Sequence, residues 1–308
     1  MNNNKASSLK SSIEGFIRRQ GIEAEMEQNL VKEAIHLHLL SAMSETGILR
    51  HAVFQGGTAL RLCYGGERYS EDLDFVCGKA GSYFTDVEFK ELIETALETT
   101  KKTLNRDFGI APEQISLKKP EHPDLVKQTP VTVAAWQIIV PIEATPRAPK
   151  SRIKIEFANV PAYDTKPVPV KATPGLVQVQ DVILNAETVH EILADKAVAL
   201  TAREALKYRD VWDVWYLQNI LNAVVDREVV QKKFVDYGSI ETEQKAAKRV
   251  AELSKDATAN AFLTEMKRFL PAKRVNQISQ TGLHHSILAE SGDLLRRAVL
   301  PAAGPNPW

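Results

Sequence analysis

Cysteine is almost absent from this chain: Cys63 and Cys77 are the only two in 308 residues. Neither has the neighbouring histidines and cysteines that a zinc site needs. Both lie in or beside apolar segments, which predicts buried thiols rather than a disulfide. Long apolar runs are also missing, and the leading MNNNKASS is short and polar, without the apolar centre of a secretion signal. A cytosolic protein that does not enter a membrane is expected. Excess charge of either sign is lacking too, since 39 basic residues balance 39 acidic ones. The field of the whole molecule therefore gives no reason to expect tight nonspecific polyanion binding. The local basic stretch Lys267–Arg274, KRFLPAKR, reads first as a solvated helix end broken by Pro271, and second as a contact for a phosphate backbone. A P-loop is absent, which removes the commonest kinase and GTPase architecture. Ser70 has no G-x-S-x-G setting, so a Ser-His-Asp hydrolase is unsupported. His190, His284 and His285 have no carboxylate or cysteine at ligand spacing and read as surface or capping residues. Internal repeats and low-complexity tracts are missing as well.

What is present is a chain of ordinary globular composition, 44% hydrophobic and 25% charged, long enough for two domains. From about residue 9 to 47 apolar residues recur at helical spacing and predict two helices leading into a strand at Ala52–Phe54. Gln55-Gly56-Gly57 turns the chain, a short helix Thr58–Leu62 follows, and Gly65-Gly66 turns it again toward a strand holding Asp72 and Asp74. Phe89–Asn105 is a further amphipathic helix. From Ile115 to Val182 the apolar period changes to two, with strands at Trp136–Val140 and Arg152–Phe157. In the second of these Ile153, Ile155 and Phe157 share one face, and Lys154 and Glu156 share the other. Pro161–Gly175 is too proline-rich for a central strand and reads as a loop or edge crossover. After Asn185 the remainder is expected to be helical, beginning with a cap signal between Asn185 and Thr188 and a long run through Leu221. Helices at Arg227–Tyr237, Glu241–Ser254, Asn260–Phe269 and Ser286–Leu300 follow. The fold class is thus α+β, with domains at 1–184 (helices and mixed sheet) and 185–308 (helical).

The stretch Phe54–Phe75, FQGGTALRLCYGGERYSEDLDF, carries the chemistry. On a strand, Asp72 and Asp74 point to one face while Leu73 and Phe75 pack on the other. Two convergent carboxylates are hard oxygen donors suited to Mg²⁺ or Mn²⁺, ions that keep waters and bind a nucleoside triphosphate (NTP) at the same time. Gly56 and Gly57 let the backbone approach a phosphate closely, and the helix beginning near Thr58 aims N–H groups and its positive dipole end at that anion.

The GGTAL turn followed by RYSEDLDF resembles the AbiEii (also MenT) nucleotidyltransferase toxin family of the polymerase-beta-like superfamily. Ile192–Leu217, ILADKAVALTAREALKYRDVWDVWYL, is similar to that family's later helical motif. The resemblance covers most of residues 30 to 220. It implies a polymerase-beta-like mixed sheet flanked by helices, and a metal-dependent enzyme that transfers a nucleoside monophosphate from NTP to an RNA end such as the tRNA 3′ terminus. It also implies a toxin role with a cognate antitoxin, often a winged-helix protein. On this resemblance Asp72 and Asp74 hold the metal ions, and Glu156 is the third carboxylate and general base, its other reading being a residue that simply faces solvent on a half-buried sheet. Gly56, Gly57, Thr58 and Ser70 face the phosphates, Ser70 reading otherwise as a turn hydrogen bond to backbone; Lys196 contacts the triphosphate, and Asp210 orients that lysine. Asp213 stands in reserve. Lys196, Arg203, Lys207 and Asp210 fall on roughly one face of a continuous helix, whose other reading is a solvent-exposed face laced by salt bridges. Trp212 and Trp215 read as core anchors. Two alternatives stay open: phosphoryl transfer to a protein or small molecule, and a nucleotide-binding module without catalytic activity.

Overall fold

A computed structural model describes residues 8–78, 87–120, 131–143 and 148–301. It divides into two compact units, one within Met1–Gln128, Thr132–Pro161 and Lys166–Ala186, the other within Thr129–Val131, Ala162–Thr165 and Glu187–Trp308.

The first unit is a mixed sheet with helices. Its strands are β1 (Val53–Gln55), β2 (Leu73–Val76), β3 (Ser116–Lys118), β4 (Val133–Pro141), β5 (Lys150–Ala158), β6 (Thr165–Pro169) and β7 (Ile183–Glu187), in the order β3-β4-β5-β2-β1-β7-β6. β2 runs antiparallel to β1 and parallel to β5, and β1 runs parallel to β7. The proline-rich stretch does contain a strand, β6, and it sits at a sheet edge, the position where proline's missing N–H costs least.

Helices α1 (Leu9–Gln20), α2 (Glu27–Thr46), α3 (Gly56–Tyr64) and α4 (Val87–Phe108) complete this unit. Ser8 caps α1, and Gly21 ends it at a φ of +64°. α2 is buried on nearly all sides, from Leu30 and Val31 through Leu39 and Leu40, and packs against α1, α4 and β5. One face of the central strands carries an aromatic file. Phe54, Phe75 and Phe157 stack at centroid spacings of 4.9 and 5.1 Å, and Trp136 and Phe89 meet Phe157 edge-on. This apolar layer pins the register of β1, β2 and β5, because a one-residue slip would turn Phe75 and Phe157 out of the core.

The second unit is helical: α5 (Val189–Ala202), α6 (Tyr208–Asn219), α7 (Arg227–Asp236), α8 (Thr242–Leu253), α9 (Asp256–Met266), α10 (Ala272–Gln280) and α11 (Leu283–Ala298). α11 packs against α5, α6 and α8. Trp212 and Trp215 are buried 5.0 Å apart, as core anchors. Pro271 caps α10, so the basic stretch Lys267–Arg274 is a junction between helices.

Several expectations need correction. The helix after Gln55 begins at Gly56, so both glycines belong to its first turn. Asn185 lies within β7 instead of opening the helical part, and the cap expected between Asn185 and Thr188 is Thr188, whose hydroxyl accepts from the Glu191 N–H. α10 was not anticipated. Of the two readings of His284, surface or cap, the second holds: the residue is buried and its ring meets the Ile278 carbonyl in the last turn of α10. The continuous helix through Leu221 breaks after Ala202, with extended backbone at Arg203 and Lys207.

Candidate functional site

β2 and β5 build the carboxylate face. Their parallel register sets Asp74 beside Glu156 and Leu73 beside Ile155. With neighbouring strands about 4.8 Å apart, Asp74 and Glu156 are side by side on the face opposite Phe75 and Phe157. Asp72, just before β2, accepts the Lys154 backbone N–H on Oδ1 at 3.3 Å, which ties it to the same two strands. Gln55 of β1 is Asp74's cross-strand neighbour on the other side.

The first turn of α3 closes one side of this face. Gly56 has a φ of +77°, and a Cβ there would come within 2.9 Å of Asp74 Oδ2. Both the left-handed backbone and the close approach demand glycine. A Cβ on Gly57 would lie 3.0 Å from Ser70 Oγ and run into the Arg68 guanidinium. Gly56 and Gly57 therefore let the helix start settle directly onto Asp74, Ser70 and Arg68. The Gln55 side chain makes no capping bond, and the positive end of the helix dipole favours anionic groups at this turn. Thr58 Oγ1 donates to the Asp72 carbonyl, so it fixes backbone, and the structure places it as a brace for Asp72.

The approach to β2 is anchored from behind. Lys32 on α2 pairs with Glu71 at 2.6 Å, and the His36 ring Nε2 donates to the Glu71 carbonyl at 3.0 Å. Burial pushes the His36 pKa down to about 4, so the ring is neutral near pH 7. Arg61 reaches the Gly66 carbonyl at 2.9 Å, pairs with Glu33 and lies over the Tyr69 ring, which orders the turn carrying Arg68 and Ser70.

A cation, Lys154, stands inside the carboxylate face. Lys154 Nζ is 2.6 Å from Glu156 Oε1. Its pKa is raised by the Glu156 hydrogen bond first, against an opposing desolvation effect, with further help from the charges of Glu156, Asp72 and Asp74. Strand alternation had already put Lys154 on this face; its pairing with Glu156 was not foreseen. Arg68, buried against Gly57, was missed altogether, although it lies two residues before Ser70 in the same motif.

In the helical unit Lys196 is buried between two carboxylates, Asp210 Oδ1 and Asp213 Oδ2, each at 2.7 Å. Arg203 also pairs with Asp210. The alternative reading of a solvent-exposed polar face does not hold for these residues: Lys196, Asp210 and Asp213 are all buried. They meet because α5 and α6 fold back on each other, and Asp213 is as close a partner of Lys196 as Asp210 is.

A second acidic cluster was not anticipated. Among the described residues, Glu187, Glu191 and Asp195 form the one trio of possible metal ligands whose donor atoms all lie within 4.8 Å of one another. Lys233 occupies it, 2.7 Å from Asp195, 2.8 Å from Glu191 and 3.4 Å from Glu187. An ammonium at the centre makes this an internal ion cluster and a poor fit for a divalent ion. Asp72, Asp74 and Glu156 share a face without closing to the same spacing, Glu156 being drawn onto Lys154. Their donor chemistry, hard carboxylate oxygens beside a helix start whose dipole favours anions, fits Mg²⁺ or Mn²⁺.

The chain matches the family described as "Nucleotidyl transferase AbiEii toxin, Type IV TA system" over residues 38–281, a span that includes Asp72, Asp74, Glu156, Lys196 and Asp210. It belongs to the AbiEii family. AbiEii proteins are nucleotidyltransferases of toxin–antitoxin systems, so an NTP substrate and an antitoxin partner follow from membership. Two solved structures are similar. JHP933 from Helicobacter pylori shares 18% identity over 88% of this chain and 93% of its own, with a TM-score of 0.45. A second H. pylori chain, assigned as a nucleotidyltransferase, shares 18% identity over 88% and 96%, with a TM-score of 0.47. Among curated proteins there is no significant match. Among the described residues of this AbiEii chain no helix is long and apolar enough to cross a membrane.

Proposed function

We propose that this AbiEii enzyme transfers a nucleoside monophosphate from NTP to an RNA acceptor, such as the 3′ end of tRNA, with Mg²⁺ or Mn²⁺ held by Asp72 and Asp74. The observation that carries this reading is the shared face of Asp72, Asp74 and Glu156 against the Gly56-Gly57 helix start. A bound divalent ion would supply charge neutralisation for the triphosphate. The first turn of α3 and the Ser70 hydroxyl take phosphate oxygens. The acceptor hydroxyl attacks the α-phosphorus, the new O–P bond forms as the bond to the β-phosphate oxygen breaks, and pyrophosphate leaves. Glu156 takes the hydroxyl proton. Lys196 is assigned to the nucleotide phosphates and Asp210 to its orientation on the strength of the family motif. The antitoxin is taken to be a winged-helix protein for the same reason, and the enzyme to act in the cytoplasm.

Asp72→Ala tests this reading. The substitution removes a half-buried carboxylate, including the bond it accepts from the Lys154 N–H, worth about 1 kcal/mol, and leaves Leu73 and Phe75 in the core. Purified Asp72→Ala should therefore melt close to wild type. Its transfer of label from α-labelled NTP to total RNA should fall about a thousandfold or more, and its expression should not slow growth. A product gaining phosphate instead of a nucleoside monophosphate would point to phosphoryl transfer. A folded variant that labels RNA at the wild-type rate would move the site elsewhere.

A further inference from the structure

Lys154 and Glu156 lie two residues apart on one face of β5, and their side chains join at 2.6 Å. The lysine is held at its root, where its backbone N–H meets Asp72 Oδ1, but its side chain is 43% exposed. The ammonium can thus change partners without moving the strand. Three carboxylates on one face repel one another, and this lysine offsets part of that charge. The same pairing is at odds with the chemistry assigned to Glu156. A carboxylate oxygen already bonded to an ammonium is not open to the acceptor's hydroxyl, and an ammonium within bonding distance repels a divalent ion from the same oxygens.

We propose that Lys154 is an exchangeable counter-ion of the site, neutralising Glu156 while no nucleotide is bound and passing to phosphate oxygens of the NTP when it enters. The exchange frees Glu156 to take the acceptor's proton, and the four-methylene stem of lysine gives the reach that a short or rigid cation lacks. The triphosphate is the natural second partner, because it brings more negative charge than any single side chain on this face. This inference rests on the carboxylate face being the metal and nucleotide site.

The test separates the two ideas by binding rather than turnover. Mn²⁺ alone, and then a non-hydrolysable NTP analogue with Mn²⁺, are titrated calorimetrically into wild type, Lys154→Met, Lys154→Arg and Asp72→Ala. Lys154→Met should bind Mn²⁺ alone on the order of tenfold more tightly, the size expected from removing one charge about 5 Å from a divalent ion in a near-aqueous dielectric. It should bind the analogue several-fold more weakly. Lys154→Arg should follow wild type for Mn²⁺. Melting curves should match, because the side chain is half-exposed. If Lys154→Met binds Mn²⁺ no more tightly, or the analogue no less tightly, the exchange is overturned while the site stands. If Asp72→Ala binds Mn²⁺ and the analogue as wild type does, the site itself is misplaced and the exchange falls with it.

Discussion

Replacing Lys233 by methionine removes one ammonium from among three carboxylates and keeps most of the apolar stem. Lys233 is 2% exposed in its side chain, Glu187 and Glu191 are fully buried, and the three partners stand at 2.7, 2.8 and 3.4 Å. Burial and the Asp195 charge already push the Glu187 carboxyl well above its usual value, against the pull of Lys233. Without the lysine, two or three carboxylates share a cavity with no cation among them. Breaking a buried pair in this way costs about 3–5 kcal/mol, or roughly 10–20 °C in the melting of a helical unit of this size. The loss has a pH signature. Carboxylates raised in the fold are tolerated below their unfolded values near 4.5 and penalised as pH rises above them, so the gap to wild type should narrow by about 1.4 kcal/mol per pH unit for each proton taken up. Calorimetric melts of wild type and Lys233→Met at pH 8 and pH 5.5 check this, with the larger gap expected at pH 8. In wild type the lysine's contribution holds below about pH 10.5 and is lost as pH rises through its still higher folded value. A variant within 2 °C of wild type at pH 8, or a gap that widens in acid, would show that the cluster is not held together by its charge balance.

Lys196→Ala should combine two effects, a destabilisation of about 3 kcal/mol from leaving Asp210 and Asp213 without their shared cation and a weaker NTP affinity measured by calorimetry with Mg²⁺ on protein that remains folded. Unchanged NTP affinity would reduce Lys196 to a structural ion. Acid should unsettle the sheet unit through His36 and His38, which burial holds at about 4 against an ordinary 6.5. The unfolded chain takes up these protons first, so stability is full above pH 6.5 and declines as pH falls toward 4, by up to about 3 kcal/mol per histidine. Urea midpoints at pH 7.5, 6 and 4.5 measure it, and His36→Gln should flatten part of the slope.

The parts of this protein that depend on neighbours in the chain were legible in its sequence. Alternation put Asp72 with Asp74 and Lys154 with Glu156, the glycines marked the turn, and the apolar periods separated a mixed α/β portion from a helical one. These features follow from backbone periodicity, which needs no knowledge of distant contacts. Pairing between distant segments was decided by tertiary structure. Nothing local sets β5 parallel to β2, yet that register alone brings Glu156 beside Asp74. The break between α5 and α6 was invisible because Arg-Glu-Ala-Leu-Lys favours helix and contains neither glycine nor proline. Arg249 of α8 ends the helix instead, its guanidinium donating to the carbonyls of Leu200, Arg203 and Glu204, which satisfies groups that a helix end leaves open. That distant cap outweighs the local preference, and the turn it permits is what buries Lys196 between Asp210 and Asp213.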